Sequence, residues 1–143
     1  MSVSIVVGGQ YGSEGKGKVA YFWAKRKKVT VAVRVGGSNS GHTIINELKE
    51  KCIFRILPTA SIIYGIISVI PSGAYIDINV LKHEIEKYDI KNIIIDPFAV
   101  IITEKNRNNE NNSKLSEKIG STQSGTGNAI ISRIARDGSV VFA

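Results

Sequence analysis

A single cysteine, Cys52, leaves this 143-residue chain without an internal disulfide or a cysteine-based zinc cluster. It also fits a reducing compartment. No apolar run reaches the ~18 residues needed to span a bilayer. The opening, MSVSIVVGGQ, has neither the basic leader nor the small-residue cleavage site of a signal peptide. These absences lead to the expectation of a cytoplasmic protein with no membrane partner. Acidic residues are outnumbered, 12 against 19 Lys and Arg, for a net charge of +7 and a pI near 9.6. A basic balance can serve nucleic acid, membrane surfaces or small phosphorylated substrates. Here the charge is spread along the chain. The one dense run, KRKK (25–28), follows a helical pattern and sits where a helix dipole favours cations. Direct nucleic-acid binding is therefore not expected.

What is present is an α/β pattern. VSIVV (3–7) is continuous rather than alternating, and predicts a buried strand of a parallel sheet. KGKVAYFWAKRKK (16–28) predicts a helix and VTVAVRV (29–35) a second strand, so the opening reads β-loop-α-β. Further strands are expected in 52–57, 61–70 and 91–102. A helix is expected over 78–89, with Asp77 as N-cap and Ile78, Leu81 and Ile85 on one face. The asparagine-rich stretch 103–118 has little to bury, and predicts a flexible surface loop or frayed helix. Residues 129–138 read as a helix closed by glycine, and SVVFA (139–143) as the start of a strand. A chain stopping inside an apolar run suggests the N-terminal portion of a longer nucleotide-binding domain, occupying 1–143 as one unit.

Three small-residue loops punctuate this pattern. The first, GGQYGSEGKGKV (8–19), matches the phosphate-loop spacing G-x-x-x-x-G-K-[ST] from Gly12 to Lys18, failing only at Val19. Consecutive backbone N–H groups in such a turn, the following helix N-terminus and a lysine together suit phosphate oxygens. The missing hydroxyl at position 19 removes the usual magnesium ligand of an ordinary phosphate-loop NTPase. A glycine turn that only lets strand meet helix closely is the structural alternative. GGSNSGHT (36–43) is the second loop, also placed after a strand, where open α/β sheets put their ligands. It carries His42; the other histidine, His83, lies in a helical pattern and reads as solvated surface. GSTQSGTGN (120–128) is the third, a second phosphate cradle or a linker.

Together the loops resemble the adenylosuccinate synthetase family. The matching stretches are GSEGKGK (12–18), NSGH (39–42), LPTA (57–60), PSGAYID (71–77) and IGSTQSGTGN (119–128), followed by RIAR (133–136). The resemblance implies an adenylosuccinate synthetase-like α/β fold with a mostly parallel central sheet and a phosphate-loop-like turn. It also implies a C–N ligase. A nucleoside triphosphate, ATP or GTP, phosphorylates the 6-oxygen of a purine nucleoside monophosphate, and the amine of L-aspartate displaces that phosphate. Carried onto this chain, the triphosphate would be held by Gly12, Ser13, Glu14, Gly15, Lys16, Gly17 and Lys18, with Gly41, His42 and Thr43 from the second loop. Ser13, Lys16 and His42 would be the catalytic set, and Mg²⁺ would sit against Ser13 and the Gly41 carbonyl. Ser13, Asn39, Ser121, Thr122 and Gln123 would hold the purine nucleotide, with Arg136 reaching that of the neighbouring subunit in a homodimer.

One departure is large. The family motif is G-D-E-G-K-G-K, and Ser13 stands where it has aspartate. A serine hydroxyl does not ionise at neutral pH and cannot take the N1 proton of inosine monophosphate as that aspartate does. A phage branch of the family shows this kind of replacement. It uses 2′-deoxyguanosine monophosphate (dGMP) and makes the precursor of 2-aminoadenine; it also has IGST in place of I-G-T-T and lacks the proline whose position Asn128 holds here. The resemblance to that branch implies dGMP as substrate and 2-amino-2′-deoxyadenylosuccinate as product, in the host cytoplasm where the gene is phage-borne. Two alternatives stay open: the standard enzyme acting on inosine monophosphate with GTP, and a nucleotide-binding fragment without activity.

Overall fold

A computed structural model describes residues 2–10, 12–112, 121–136 and 138–143. Among them the element order is α1 (Lys16–Lys27), β1 (Val31–Val33), β2 (His42–Ile45), β3 (Lys51–Phe54), a 3₁₀ turn (Thr59–Ile62), β4 (Ile67–Ile70), β5 (Tyr75–Ile76), α2 (Ile78–Tyr88), β6 (Ile93–Ile95), β7 (Val100–Ile101), α3 (Glu104–Asn112), α4 (Thr126–Ala135) and β8 (Val141–Phe142). β1, β4 and β6 form a parallel sheet in the order β1-β4-β6. β2 and β3 form an antiparallel hairpin, and β7 joins β5 in parallel and β8 antiparallel. This is the expected α/β class with its parallel sheet.

The main core gathers Ile44, Cys52, Phe54, Leu57, Ile70 and Ile76 from the hairpin and the sheets, under Leu81 of α2. α2 forms where its pattern predicts. The Asp77 carboxylate accepts the Asn79 and Val80 N–H groups at 3.1 and 3.3 Å, and Leu81 is buried.

Three expectations need correction. Residues 3–7 are unpaired and exposed, with Ile5 at 81%. The open edges of the β1-β4-β6 sheet stay unpaired with this run, and without strand partners its apolar side chains are left uncovered. Within the asparagine-rich stretch, the helix alternative holds over 104–112 and the loop alternative does not, while 113–118 lies outside the described residues. Thr103 and Asn106 cap that helix reciprocally: the Asn106 Oδ1 accepts the Thr103 N–H at 2.9 Å, and the Thr103 hydroxyl accepts the Asn106 N–H at 3.3 Å. Asn106 and Glu110 are buried against α4 because hydrogen bonds, not apolar contacts, dock α3. Finally, α4 starts three residues earlier than expected. It ends on Arg136, which takes the left-handed conformation (φ 53°) in place of the expected glycine.

Candidate functional site

The first loop reaches α1 through Gly12 (φ 111°) and Gly15 (φ 77°), conformations that glycine adopts without a Cβ penalty. Gly15 is the N-cap of α1, and no side chain caps that end and no acidic residue lies in its first turn. The first amides of α1 are thus left to an external anion, next to the helix's positive end. Lys16 opens the helix with its ammonium on the Glu14 carboxylate. Glu14 also accepts the Gln10 N–H at 2.8 Å. The Lys16 contact and this N–H hold the Glu14 carboxyl below its ordinary range. Ser13 and Lys18 are exposed on either side of this arrangement.

The second loop packs directly on the first. A Cβ added to Gly17 would lie 2.7 Å from the His42 Cβ and 3.0 Å from the Thr59 Cγ2, so α1 can sit this close to β2 only with glycine there. His42 and Thr43, expected within the loop, begin β2 instead, which fixes the backbone carrying the imidazole. Asn39 and Gly41 are exposed. Burial lowers the His42 pKa from its ordinary 6.5, and the nearby Arg34 and Lys16 charges lower it further. The imidazole is therefore held towards its neutral form at pH 7.

The same shift makes a stability prediction. The unfolded state binds the His42 proton more readily, so the contribution of His42 is fully present above pH ~6.5. It is lost as the pH falls from there through the lower folded value. Stability should thus drop on acidification below 6.5 in the native protein, and His42→Asn should flatten that segment of a denaturant-melt series against pH.

The third loop meets the second at Gly37, where an added Cβ would collide with the Thr126 side chain. Its amides divide in two. The Glu110 carboxylate of α3 accepts the Gly125 and Asn128 N–H groups at 2.8 and 3.1 Å, so the start of α4 is capped from within. Residues 121–124 remain at the surface. Gln123 is in the left-handed region (φ 53°), its N–H on the Ser121 hydroxyl at 3.2 Å, and Thr122 and Gln123 are exposed. Asn128 accepts from Asn106 and Asn109 at 3.0 and 3.3 Å. A proline there would carry no such side chain.

The second loop thus meets the first at Gly17 and His42 and the third at Gly37 and Thr126. Arg136 stands apart from these contacts. It lies exposed at the far end of α4, about 15 Å of helix from the loop. His83 is exposed, as its pattern predicted. Sequence reasoning missed Arg34, Arg55, Thr59, Glu84 and Glu110. Arg34 and Arg55 are lone charges inside apolar strand runs, and Glu84 is three residues after Leu81 on the buried face of α2; each was a legible signal. For Mg²⁺ the expected ligands are two neutral oxygens, on exposed Ser13 and Gly41, and no group of three His, Cys, Asp or Glu is clustered among the described residues. Mg²⁺ takes oxygen ligands and is usually held by few protein groups plus substrate phosphates. Such a donor pair fits an ion that arrives on a nucleotide.

The adenylosuccinate synthetase family model matches residues 5–142. The adenylosuccinate synthetase of Methanococcus aeolicus is 37% identical over 142 residues, covering 95% of this chain and 42% of that protein. Among solved structures, the succinoaminodeoxyadenylate synthetase of cyanophage S-2L, bound to dGMP and to dATP as an energy donor, superimposes with a TM-score of 0.77. It is 26% identical and covers 93% of this chain and 38% of its own. The fully ligated adenylosuccinate synthetase of Plasmodium falciparum gives a TM-score of 0.75 at 28% identity, covering 89% of this chain and 31% of its own. The chain thus spans well under half the length of each of these proteins.

Proposed function

This chain belongs to the adenylosuccinate synthetase family, and on that premise we propose that it carries the nucleotide-handling loops of a ligase joining L-aspartate to C6 of dGMP. The observation that supports this reading is Ser13, an uncharged, exposed residue in the loop that leads to the uncapped start of α1. Guanine presents a 2-amino group beside N1. A serine hydroxyl is small enough to admit it and can accept its hydrogen bond, whereas a carboxylate is bulkier and suits the C2–H edge of hypoxanthine.

In the reaction, Lys16 exchanges Glu14 for the triphosphate, and the α1 amides and Lys18 neutralise its remaining oxygens. The γ-phosphoryl passes to the guanine 6-oxygen as the N1 proton goes to solvent water, neither Ser13 nor the donating His42 taking it, and the nucleoside diphosphate leaves. His42, neutral beforehand, donates a hydrogen bond to the oxygens between which the phosphoryl moves. The aspartate amine then bonds to C6, and the former 6-oxygen departs within inorganic phosphate. The Gly41 carbonyl and the Ser13 hydroxyl would hold Mg²⁺ together with phosphate oxygens, and the ion would supply further charge neutralisation. Residues 121–123 hold the 5′-phosphate, and Arg136 serves a neighbouring subunit's nucleotide in a homodimer.

A second reading, the standard reaction on inosine monophosphate with GTP, is favoured by the higher identity to the M. aeolicus adenylosuccinate synthetase. Both share the 6-phosphoryl step, which an isotope tests. With dGMP labelled by ¹⁸O at C6, aspartate and Mg-ATP or Mg-GTP, the label should appear in inorganic phosphate in step with the succinyl product. Label released to water and not to phosphate as the product forms, or no product from any purine nucleotide, would contradict the ligase reading.

A further inference from the structure

Behind the first two loops lies a buried carboxylate that the proposed chemistry does not use. Glu84 of α2 is 2% exposed, and its oxygens accept three successive backbone N–H groups: Arg55, Ile56 at 3.1 Å and Leu57 at 2.8 Å. Burying a carboxylate is costly unless donors surround it, so segment 55–57 and Glu84 fix each other. That segment reaches both loops. The Arg55 Nε donates to the Ser38 carbonyl at 2.8 Å, and the Arg34 guanidinium bridges the carbonyls of Arg55 and Gly37, the latter at 3.4 Å. Four residues on from Arg55, the Thr59 hydroxyl donates to the Gly17 carbonyl at 2.8 Å in the first turn of α1. Ser38 is fully buried although its hydroxyl meets no partner among the described residues. The bond that holds Ser38 in place is thus the one its carbonyl accepts from Arg55, not one of its hydroxyl. Burial pushes the Arg34 guanidinium below its ordinary value, and the Glu84 charge opposes that.

We propose that Glu84 is a positioning residue: by fixing segment 55–59 it sets the second loop, through Arg55 and Arg34, against the start of α1, through Thr59. The catalytic consequence rests on the proposed function, since it assumes that these two loops grip the reacting nucleotides. Arg55 and Thr59 are then two separate arms of one brace, and cutting each should loosen a different loop.

The test is backbone ¹⁵N relaxation on the full chain, with turnover measured alongside. Arg55→Met should lower the order parameters of residues 37–41 from near ~0.85 to below ~0.6 and leave 15–18 rigid. Thr59→Val should do the converse, and Glu84→Gln, which presents an amide N–H to the backbone donors, should loosen both. Because misplacement of about 1 Å costs on the order of 10²-fold, Glu84→Gln should lower kcat about 10²-fold with KM within about threefold. Were Glu84→Gln to lower the melting temperature with both loops as rigid as in the native protein, its role would be merely structural and the proposal overturned. Were Glu84→Gln not to fold, the two arm variants decide alone, and equal or absent loosening of the two segments overturns it. A native chain without turnover would sink the functional reading but leave the order-parameter result standing.

Discussion

Lys16→Met is expected to cut turnover by about 10³-fold while the fold and melting temperature stay near native. Methionine keeps most of the side chain's length and removes only its charge. In the nucleotide-free protein that charge is spent on Glu14, a half-buried pair at the start of α1. In the reaction the same ammonium faces the negative charge that spreads over the transferred phosphoryl group, where removing one preorganised donor costs ~10²–10³ and a whole cation more. The position makes it hard to replace. Lys16 is the first residue of α1, beside an N-terminus with no cap, so helix amides and ammonium address one spot. Lys18 is exposed and two residues on. Steady-state kinetics with a fluorescent triphosphate analogue would separate loss of binding from loss of the chemical step. A Lys16→Met enzyme within threefold of native would remove the first loop from the reaction.

Ser13→Asp carries the second large effect, on the choice between substrates. A carboxylate at this lip would replace an acceptor suited to the guanine 2-amino group with a charge suited to taking the N1 proton of hypoxanthine. We expect kcat/KM for dGMP to fall by about 10²–10³, the scale of a buried polar group losing its partner. Turnover of inosine monophosphate should rise in the same variant. The effect stays local because Ser13 is exposed and lies between Gly12, already in a conformation only glycine takes freely, and Glu14. A Ser13→Asp protein with unchanged preference would place substrate choice elsewhere in the chain.

The loops were legible in the sequence because their chemistry demands particular residues: Gly12, Gly15 and Gly17 for backbone shape, Lys16 for charge. Their convergence was less so. It depends on Gly17 against His42 and Gly37 against Thr126, approaches between residues 25 and 89 positions apart that no local pattern encodes. Helix α2 was read correctly because its cap, Asp77, and its apolar face agree. For α3 composition leaves loop and frayed helix open, and the capping pattern Thr103-x-x-Asn106, with asparagine in the usual glutamate position, is what favours the helix. The run 3–7 has the propensity of a strand but pairs with neither open edge of the β1-β4-β6 sheet.

The most direct measurement is the competition of dGMP with inosine monophosphate, at equal concentration, for the full chain supplied with aspartate, Mg²⁺ and either ATP or GTP. The account predicts 2-amino-2′-deoxyadenylosuccinate as the dominant product, with kcat/KM for dGMP exceeding that for inosine monophosphate by about 10²-fold or more. Adenylosuccinate as the dominant product would contradict it.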